Sequence, residues 1–169
     1  MKVTIFKNVF DKKAPHHIPL QQALIRIQNG KSSTLVSEVR NGDKTKKQEL
    51  PVVCFSGEFS SRSDDALFEH SGFIILDFDH VDVDQTKRAL ATDDFIHSCW
   101  TSPSGAGVKA LVKVTNPERH RDHFRALVKY FERTHGLELD ESGINESRAC
   151  FESYDPDIII KDDCKKFGH

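Results

Sequence analysis

An uninterrupted apolar segment that ends in two acidic residues constrains this chain more than any other feature. Phe73 to Leu76 are all apolar, and Asp77 and Asp79 follow with one phenylalanine between them. The apolar run predicts a buried strand. In a strand the i, i+2 spacing puts both carboxylates on one face, roughly 6.6–6.8 Å apart along the chain. Since hard oxygen ligands suit Mg²⁺ or Mn²⁺, the segment predicts a divalent-cation site; a surface turn, where aspartate is common, is the alternative.

Composition limits the functions that remain open. A length of 169 residues fits one domain, or one domain with a subdomain. The net charge of −2 excludes a global attraction to nucleic acid, so such binding requires a local patch. Four cysteines without C-x-x-C spacing favour neither a zinc site nor a disulfide framework. We expect a cytoplasmic protein with no membrane partner, because no signal peptide and no sufficiently long apolar run is visible.

Hydrophobic periodicity predicts an α+β chain whose second part follows the order β-α-β-β-α-β, typical of a ferredoxin-like, or split βαβ, sheet. The elements predicted there are strands over 72–79, 95–101, 108–114 and 148–154, and helices over 84–92 and 117–136. The elements predicted before them are strands over 3–9 and 52–55, a helix over 19–28, a short helix after Ser32 or Ser33, a solvated loop over 41–49 and a connection over 56–69.

The order 4-1-3-2 of such a sheet places the Asp77 strand in the centre. Its neighbours would be the strands that begin at Val108 and Arg148, and both would run antiparallel to it. The start of each neighbour therefore lies beside the end that carries Asp77. Three segments are predicted to converge there: the two aspartates, the turn over 102–109 and the approach to the last strand over 140–148.

The turn offers candidate phosphate ligands. Glycines allow backbone N–H groups to approach an anion, and a lysine supplies a point charge. The candidate nucleotide-binding residues, with the arginine of the third segment, are Ser102, Ser104, Gly105, Gly107, Lys109 and Arg148. Strand alternation predicts Lys109 on the face of the aspartates. An ordinary hairpin turn, in which Pro, Ser and Gly are expected, is the alternative.

A third carboxylate is needed to complete a cation cage. Asp140 is the candidate, with Asp155 as the less favoured alternative, because the predicted topology puts Asp155 at the opposite end of the last strand. A solvated loop carboxylate is the competing interpretation of Asp140. Arg148 would clamp a triphosphate through two hydrogen bonds.

Five segments together give the chain a resemblance to a known family. They span residues 50–57, 62–65, 70–79, 102–109 and 147–156. The chain resembles the archaeo-eukaryotic primase superfamily, and within it the N-terminal primase-polymerase-like domain of virulence-associated protein E-type proteins of Bacteroidetes and mobile elements. That resemblance implies an N-terminal αβ unit (1–60), an RRM-like catalytic core (61–160) and a tail (161–169).

The resemblance also implies roles for individual residues. Asp77 and Asp79 match the superfamily's hydrophobic-Asp-x-Asp motif, and Asp140 followed by Arg148 is the best match to its third motif. Its Ser-x-His motif falls on Gly107 and Lys109, so lysine stands where histidine is usual. The implied activity is nucleotidyl transfer from nucleoside triphosphates on a DNA or RNA template, with Mg²⁺ or Mn²⁺. The setting would be replication of a mobile element or prophage, with a helicase-like domain as partner.

Two alternative functions remain open. The first is a catalytically weak nucleic-acid-binding module on the same scaffold, which the missing histidine favours. The second is a haloacid-dehalogenase-type phosphatase, because Asp77, Asp79 and Val81 match the start of that family's nucleophile motif. That motif normally opens a larger parallel α/β domain, so this alternative is the weaker one.

Overall fold

The structure, a computed structural model, describes residues 1–168 and contains ten short strands and four α-helices in that range. The strands are β1 (Lys2–Phe6), β2 (His16–Pro19), β3 (Val52–Cys54), β4 (Gly57–Phe59), β5 (Leu67–His70), β6 (Phe73–Phe78), β7 (Ile96–Thr101), β8 (Val108–Lys113), β9 (Cys150–Phe151) and β10 (Ile159–Ile160). The helices are α1 (Leu20–Asn29), α2 (Ser33–Arg40), α3 (Val83–Ala91) and α4 (His120–His135). His169, the last residue of the predicted tail, lies outside the described residues.

Two four-stranded antiparallel sheets form the framework. The first has the order β2-β1-β3-β9 and the second the order β10-β7-β8-β6. A separate hairpin of β4 and β5 adjoins the first sheet, to which Thr4 anchors it by donating to the carbonyl of Gly57 at 2.8 Å and accepting from the backbone N–H of Phe59 at 2.9 Å. The fold is therefore α+β with antiparallel sheets, as the sequence predicts.

Strand β6 is buried on both faces, which explains its unbroken apolar run. Its even-numbered residues pack in one cluster with Leu90 of α3 and with Phe124, Leu127 and Phe131 of α4. Its odd-numbered residues Phe73 and Ile75 pack in a second cluster with α1 and the first sheet. Alternation then places Asp77 on the face that looks toward the first sheet.

The predicted strand order 4-1-3-2 is correct for three strands and wrong for the fourth. Strand β6 pairs with β8 and β8 pairs with β7, as expected. The last predicted strand is reduced to Cys150–Phe151, and it pairs with β3 of the first sheet instead of β6. Strand β6 therefore lies at the edge of its sheet, and an irregular segment covers that edge, where the backbone N–H of Asp140 donates to the carbonyl of Asp77 at 3.0 Å.

Side-chain hydrogen bonds hold the chain in place after the last strand. The carboxylate of Glu152 is buried and accepts two hydrogen bonds from Arg26 of α1, at 2.7 and 2.9 Å, and one from Ser32 at 2.6 Å. Ser153 donates to the carbonyl of Thr101 at 2.6 Å. The backbone N–H of Glu152 still donates to the carbonyl of Pro51 at 2.8 Å, but Pro51 has no N–H to return the bond, so the regular pairing with β3 stops there.

The predicted helices are confirmed, whereas four short strands, β2, β4, β5 and β10, were not predicted. The helices α1 and α4 end at Gly30 and Gly136, both in the left-handed region with φ of 77° and 63°. The lysine-rich stretch predicted as a loop contains a 3₁₀ segment, Lys44–Glu49. Strands β2, β4 and β5 lie in segments whose polar residues conceal the alternation. No helix in residues 1–168 combines the length and the apolar character that crossing a bilayer requires.

Candidate functional site

A cleft of about 480 Å³ opens where β6 and β8 meet the end of the first sheet. Three carboxylates line it: Asp77, Asp79 and Asp140. Four cationic side chains line it as well: Lys47, Arg62, Lys109 and Arg148. We call this region the ionic cleft. It brings five of the residues predicted from the sequence into one place, and it adds Lys47 and Arg62, which had no predicted role.

Asp77 is the centre of the ionic cleft. It is only 6% exposed, and Lys109, its direct partner across the β6–β8 pair, forms an ion pair with its Oδ1. Arg148 Nη2 donates to the other oxygen, Oδ2, at 3.1 Å. Burial alone raises the pKa of the Asp77 carboxyl, but the two cations outweigh burial and hold that pKa below its usual value. Asp77 is therefore an anion held between two cations.

Asp140 shares a cation with Asp77. Its Oδ2 lies 3.2 Å from Arg148 Nη2, so one guanidinium joins the two carboxylates. Its Oδ1 accepts from the hydroxyl of Ser142 at 2.7 Å and from the backbone N–H of Ser142 at 3.0 Å. The hydroxyl bond is the largest cause of a lowered pKa for Asp140. The 140–148 segment thus reaches the end of β6 as the sequence predicts, although the strand that follows it pairs with β3 and not with β6.

Asp79 lies beyond the end of β6 and is exposed. It lines the same cleft as Asp77, and within residues 1–168 it takes part in no ion pair. His80, which follows it, has a positive φ of 55°, so the chain turns sharply just after the second aspartate. Asp79 is the carboxylate of the cleft that is most available to an incoming cation.

The donor set of the cleft fits a hard divalent cation by chemistry, because it consists of carboxylate oxygens. In the described part of the chain, however, no three acidic, histidine or cysteine side chains stand close enough together to hold a metal ion as they are. Both oxygens of Asp77 are engaged by Lys109 and Arg148. A cation would therefore have to displace these two side chains from Asp77, which requires another anion to receive them.

Two hydrogen-bond donors in the cleft lack acceptors. The Nε atoms of Arg62 and Arg148 are buried, and neither has a hydrogen-bond partner among residues 1–168. A buried guanidinium nitrogen without an acceptor is costly. Both arginines line the cleft, so two of its four cations carry a buried Nε atom without an acceptor.

The predicted phosphate-binding turn lies beside the cleft, and its polar groups bond within the turn. The hydroxyl of Ser102 accepts from the backbone N–H of Gly107 at 3.1 Å and lies 3.0 Å from the hydroxyl of Ser104. Gly105 adopts a positive φ of 78° next to the side chain of Arg40. Within residues 1–168 the lining of the ionic cleft includes Lys109 but none of these four turn residues.

Gly107 has a packing reason for its lack of a side chain. A Cβ at this position would lie 2.8 Å from the carbonyl oxygen of Phe78 on β6. This close approach lets β8 begin directly against β6 and brings Lys109 opposite Asp77. The glycine is thus fixed by strand packing.

Asp155 lies apart from the cleft. Its carboxylate is buried, where it accepts from Lys87 of α3 at 2.6 Å and from the backbone N–H of Thr101 at 2.9 Å. Burial acts to raise its pKa, but these hydrogen bonds hold it below the ordinary value. Asp155 joins α3 to β7 and is not a ligand of the ionic cleft.

Lys47 and Phe151 reach the cleft through pairing that the sequence does not reveal. Strand β3 pairs with β9, which places Phe151 at the cleft beside the segment that leads into β3. Lys47 Nζ lies 5.0 Å from the centroid of the Phe151 ring, within range of a cation–π contact. The lysine-rich composition of residues 44–47 indicated positive charge, but it did not indicate where in the fold that charge lies.

Comparison with known protein families shows which family the chain resembles. A family model described as "BT4734-like, N-terminal domain" matches residues 45–159, which is more than half of the chain and includes every residue of the ionic cleft. No curated protein and no solved structure matches the chain.

Proposed function

We propose that this chain, which belongs to the family described as BT4734-like, N-terminal domain, is a primase-polymerase-type nucleotidyltransferase domain that uses nucleoside triphosphates and a nucleic-acid template. The observation that carries the proposal is the ion-pair network of Asp77, Lys109, Arg148 and Asp140 in one cleft. The carboxylates there can bind a metal ion, and the lysine and arginine side chains between them can bind a triphosphate. In the absence of substrate, the two sets of side chains neutralise each other.

Exchange of partners is the central step of the proposed mechanism. Lys109 and Arg148 leave Asp77 and bind the phosphate oxygens of the nucleotide, which also supply an acceptor for Arg148 Nε. The carboxylates of Asp77, Asp79 and Asp140 are then free to hold Mg²⁺ or Mn²⁺. When bound, the metal supplies charge neutralisation on the phosphates and a lowered pKa for the attacking 3′-hydroxyl.

The reaction itself is a displacement at phosphorus. The 3′-oxygen of a primer or initiating nucleotide forms a bond to the α-phosphorus, the bond to pyrophosphate breaks, and the hydroxyl proton passes to water. Lys109 and Arg148 orient the triphosphate and offset the charge that develops on the leaving pyrophosphate. Positioning and electrostatics provide most of the rate enhancement in such chemistry.

The fold supports an RRM-like reading of the second sheet. Strands β6, β8 and β7 have the order expected for the first, third and second strands of that fold, with α3 and α4 packed on one face. The segment at Asp140 occupies the edge where the fourth strand would lie. A helicase-like partner and a role in replication of a mobile element or prophage follow from the resemblance and belong to the same proposal.

The second candidate function is a nucleic-acid-binding module without catalysis. Two observations favour it: Gly107 and Lys109 stand where the superfamily has Ser-x-His, and no metal-ready cluster exists within residues 1–168. A haloacid-dehalogenase-type phosphatase is disfavoured because β6 pairs antiparallel with β8 at a sheet edge, whereas that family's motif follows a strand of a parallel sheet.

Template-dependent incorporation of labelled nucleotide tests the proposal. The wild-type chain, with Mn²⁺ and a primed template, is expected to extend the primer, whereas Asp79→Asn is expected to be inactive. Asp79 is the suitable variant because it is exposed and takes part in no ion pair in the described chain, so folding is preserved. Oligonucleotide binding with no incorporation by the wild type under any metal would favour the binding module.

A further inference from the structure

We infer that the β1–β2 loop, residues 7–15, is a docking surface for single-stranded nucleic acid that leads the strand into the ionic cleft. The role of that strand as a template rests on the proposed function, but the binding itself does not. The loop combines an exposed aromatic ring, a cluster of ammonium groups and a direct structural link to the cleft. The sequence predicted only a strand over the first part of this segment.

Exposure and charge single out the loop. Phe10 is 71% exposed, the largest exposed fraction among the large hydrophobic residues of the described chain. Lys7, Lys12 and Lys13 surround it in sequence, all three are exposed, and none forms an ion pair within residues 1–168. The carboxylate of Asp11 is occupied locally, because its Oδ1 accepts the backbone N–H groups of Lys13 at 3.2 Å and Ala14 at 3.0 Å.

The loop is held in one conformation. Asn8 Oδ1 accepts from the backbone N–H of Phe10 at 2.9 Å and of Asp11 at 3.1 Å. Arg62 bonds to the loop on both sides of Phe10. Its Nη2 donates to the carbonyl of Val9 at 2.6 Å, and its backbone N–H donates to the carbonyl of Lys12 at 2.8 Å. A preorganised surface loses less conformational entropy when it binds a flexible strand.

Arg62 also connects the loop to the cleft. Its side chain lines the ionic cleft, so the residue that fixes the loop contacts the space where nucleotide is proposed to bind. Strand register places the two regions side by side, because Phe6 pairs with Val52 and Val52 pairs with Phe151. Arg62 therefore bonds to the loop and lines the same cleft as Lys47, although the chain as a whole carries a net charge of −2.

Single-stranded nucleic acid fits this surface better than an apolar protein partner does. One aromatic ring among ammonium groups suits a base that stacks while its flanking phosphates meet the lysines. A protein-binding patch would need a larger contiguous apolar area.

The chain offers a built-in comparison on β5. Phe68 is 59% exposed, but its ring packs edge-on against His17 at 5.5 Å, and the cross-strand pair of Glu58 and Glu69 lies beside it. Phosphate would be repelled at Phe68 and attracted at Phe10. A comparison of variants at Phe10 and Phe68 therefore distinguishes non-specific stacking on any exposed phenylalanine from binding at the β1–β2 loop.

Fluorescence anisotropy with labelled oligothymidylate, in EDTA and without nucleotide, tests the inference. Phe10→Ala is expected to weaken binding about fivefold or more, since stacking on an aromatic ring contributes on that scale. Phe68→Ala is expected to bind like the wild type. Thermal unfolding of both variants checks that the fold is retained, which the exposure of both rings favours. Oligouridylate of the same length distinguishes DNA from RNA as the preferred strand.

A pair of double variants tests the charges. Lys12→Gln with Lys13→Gln is expected to weaken binding and to reduce the salt slope by about 1.4, which is about 0.7 for each lost phosphate contact. Lys129→Gln with Arg133→Gln removes the same charge from the exposed face of α4 and is expected to leave the slope unchanged.

Three results would overturn the inference: no oligonucleotide binding by the wild type at low salt, equal effects of the two phenylalanine variants, or equal effects of the two double variants. The proposed enzymatic function can be rejected independently of this docking surface. Absence of nucleotide incorporation together with an intact contrast between Phe10 and Phe68 would reject the enzyme and leave the docking surface standing.

Discussion

Lys109 on β8 stands directly opposite Asp77 on β6, and its ammonium group forms an ion pair with the buried carboxylate. Arg148 engages the other oxygen of the same carboxylate. A buried anion between two cations stabilises the fold, and in the proposed function the same contacts must break when a nucleotide and a metal ion enter. Stability and binding therefore depend on the same three side chains.

Asp77→Asn and Asp79→Asn are expected to have the same effect on activity and different effects on stability. Both remove a proposed metal ligand and should abolish nucleotide incorporation. Asp77→Asn also leaves Lys109 and Arg148 without their buried counter-charge, so the free energy of unfolding should fall by about 3 kcal/mol. Asp79 is exposed, so Asp79→Asn should change it by less than about 0.5 kcal/mol. Urea denaturation measures both values, and an unchanged stability of Asp77→Asn would contradict the ion-pair account.

Lys109→Ala is expected to weaken nucleotide binding by about tenfold or more, because an ammonium that meets phosphate in the cleft is lost. Binding of Mn²⁺ alone should be retained, since Asp77 loses a competitor for its oxygen. Lys113→Ala is the matched control: it changes the last residue of the same strand, β8, which lines a different cleft. Calorimetric titration with dATP measures both variants, and equal nucleotide affinities would reject the role of Lys109.

Gly107→Ser would introduce the serine of the superfamily motif, and it is expected to destabilise the protein without raising activity. The new Cβ would lie 2.8 Å from the carbonyl of Phe78, which costs about 1–3 kcal/mol in a packed region. Ala106→Ser, at the exposed neighbouring position, should be nearly neutral. Thermal unfolding compares the two variants, and a stable, more active Gly107→Ser variant would show that the strand approach is not the constraint.

Acid destabilisation is expected to begin at a pair of histidines, of which His120 is buried and His70 half-buried. The backbone N–H of Gly72 donates to His70 Nδ1 at 2.9 Å, so His70 Nε2 carries the proton and donates to His120 Nδ1 at 3.0 Å. Burial lowers the pKa of His70 from 6.5 to about 4 and that of His120 to about 3, and His70 lowers the latter further. Both rings are neutral in the fold, whereas the unfolded chain takes up protons below pH 6.5.

The sign of the effect follows from proton uptake. Because the unfolded state binds more protons, stability should fall as the pH drops from 6.5 toward about 4. The lowered pKa of Asp77 acts in a lower window: its contribution is complete above the unfolded carboxyl pKa and is lost as the pH falls through the folded one. Denaturation midpoints across this range measure the slope, and a double variant His70→Gln, His120→Gln should flatten its upper part. An equally steep slope in that variant would assign the effect to other groups.

The centre of the site was predictable from the sequence because side chains alternate between the two faces of a strand. The spacing of Asp77 and Asp79 and the two-residue period of β8 were enough to place Lys109 on the aspartates' face. The partner of the last strand was not predictable, because Glu152 is fixed by Arg26 and Ser32, which are distant in the chain. Lys47 and Arg62 were missed for the same reason: their positions depend on long-range pairing.

Calorimetric titration of the wild-type chain with dATP, in Mn²⁺ and in EDTA, tests the central claim most directly. In the proposed mechanism Lys109 and Arg148 leave Asp77 and bind phosphate, while the carboxylates bind a metal ion. Mn²⁺ should therefore tighten dATP binding by about tenfold or more. The Asp79→Asn variant should lose most of that gain. Equal dATP affinity with and without Mn²⁺, or no dATP binding at all, would contradict a metal-dependent nucleotide site in the ionic cleft.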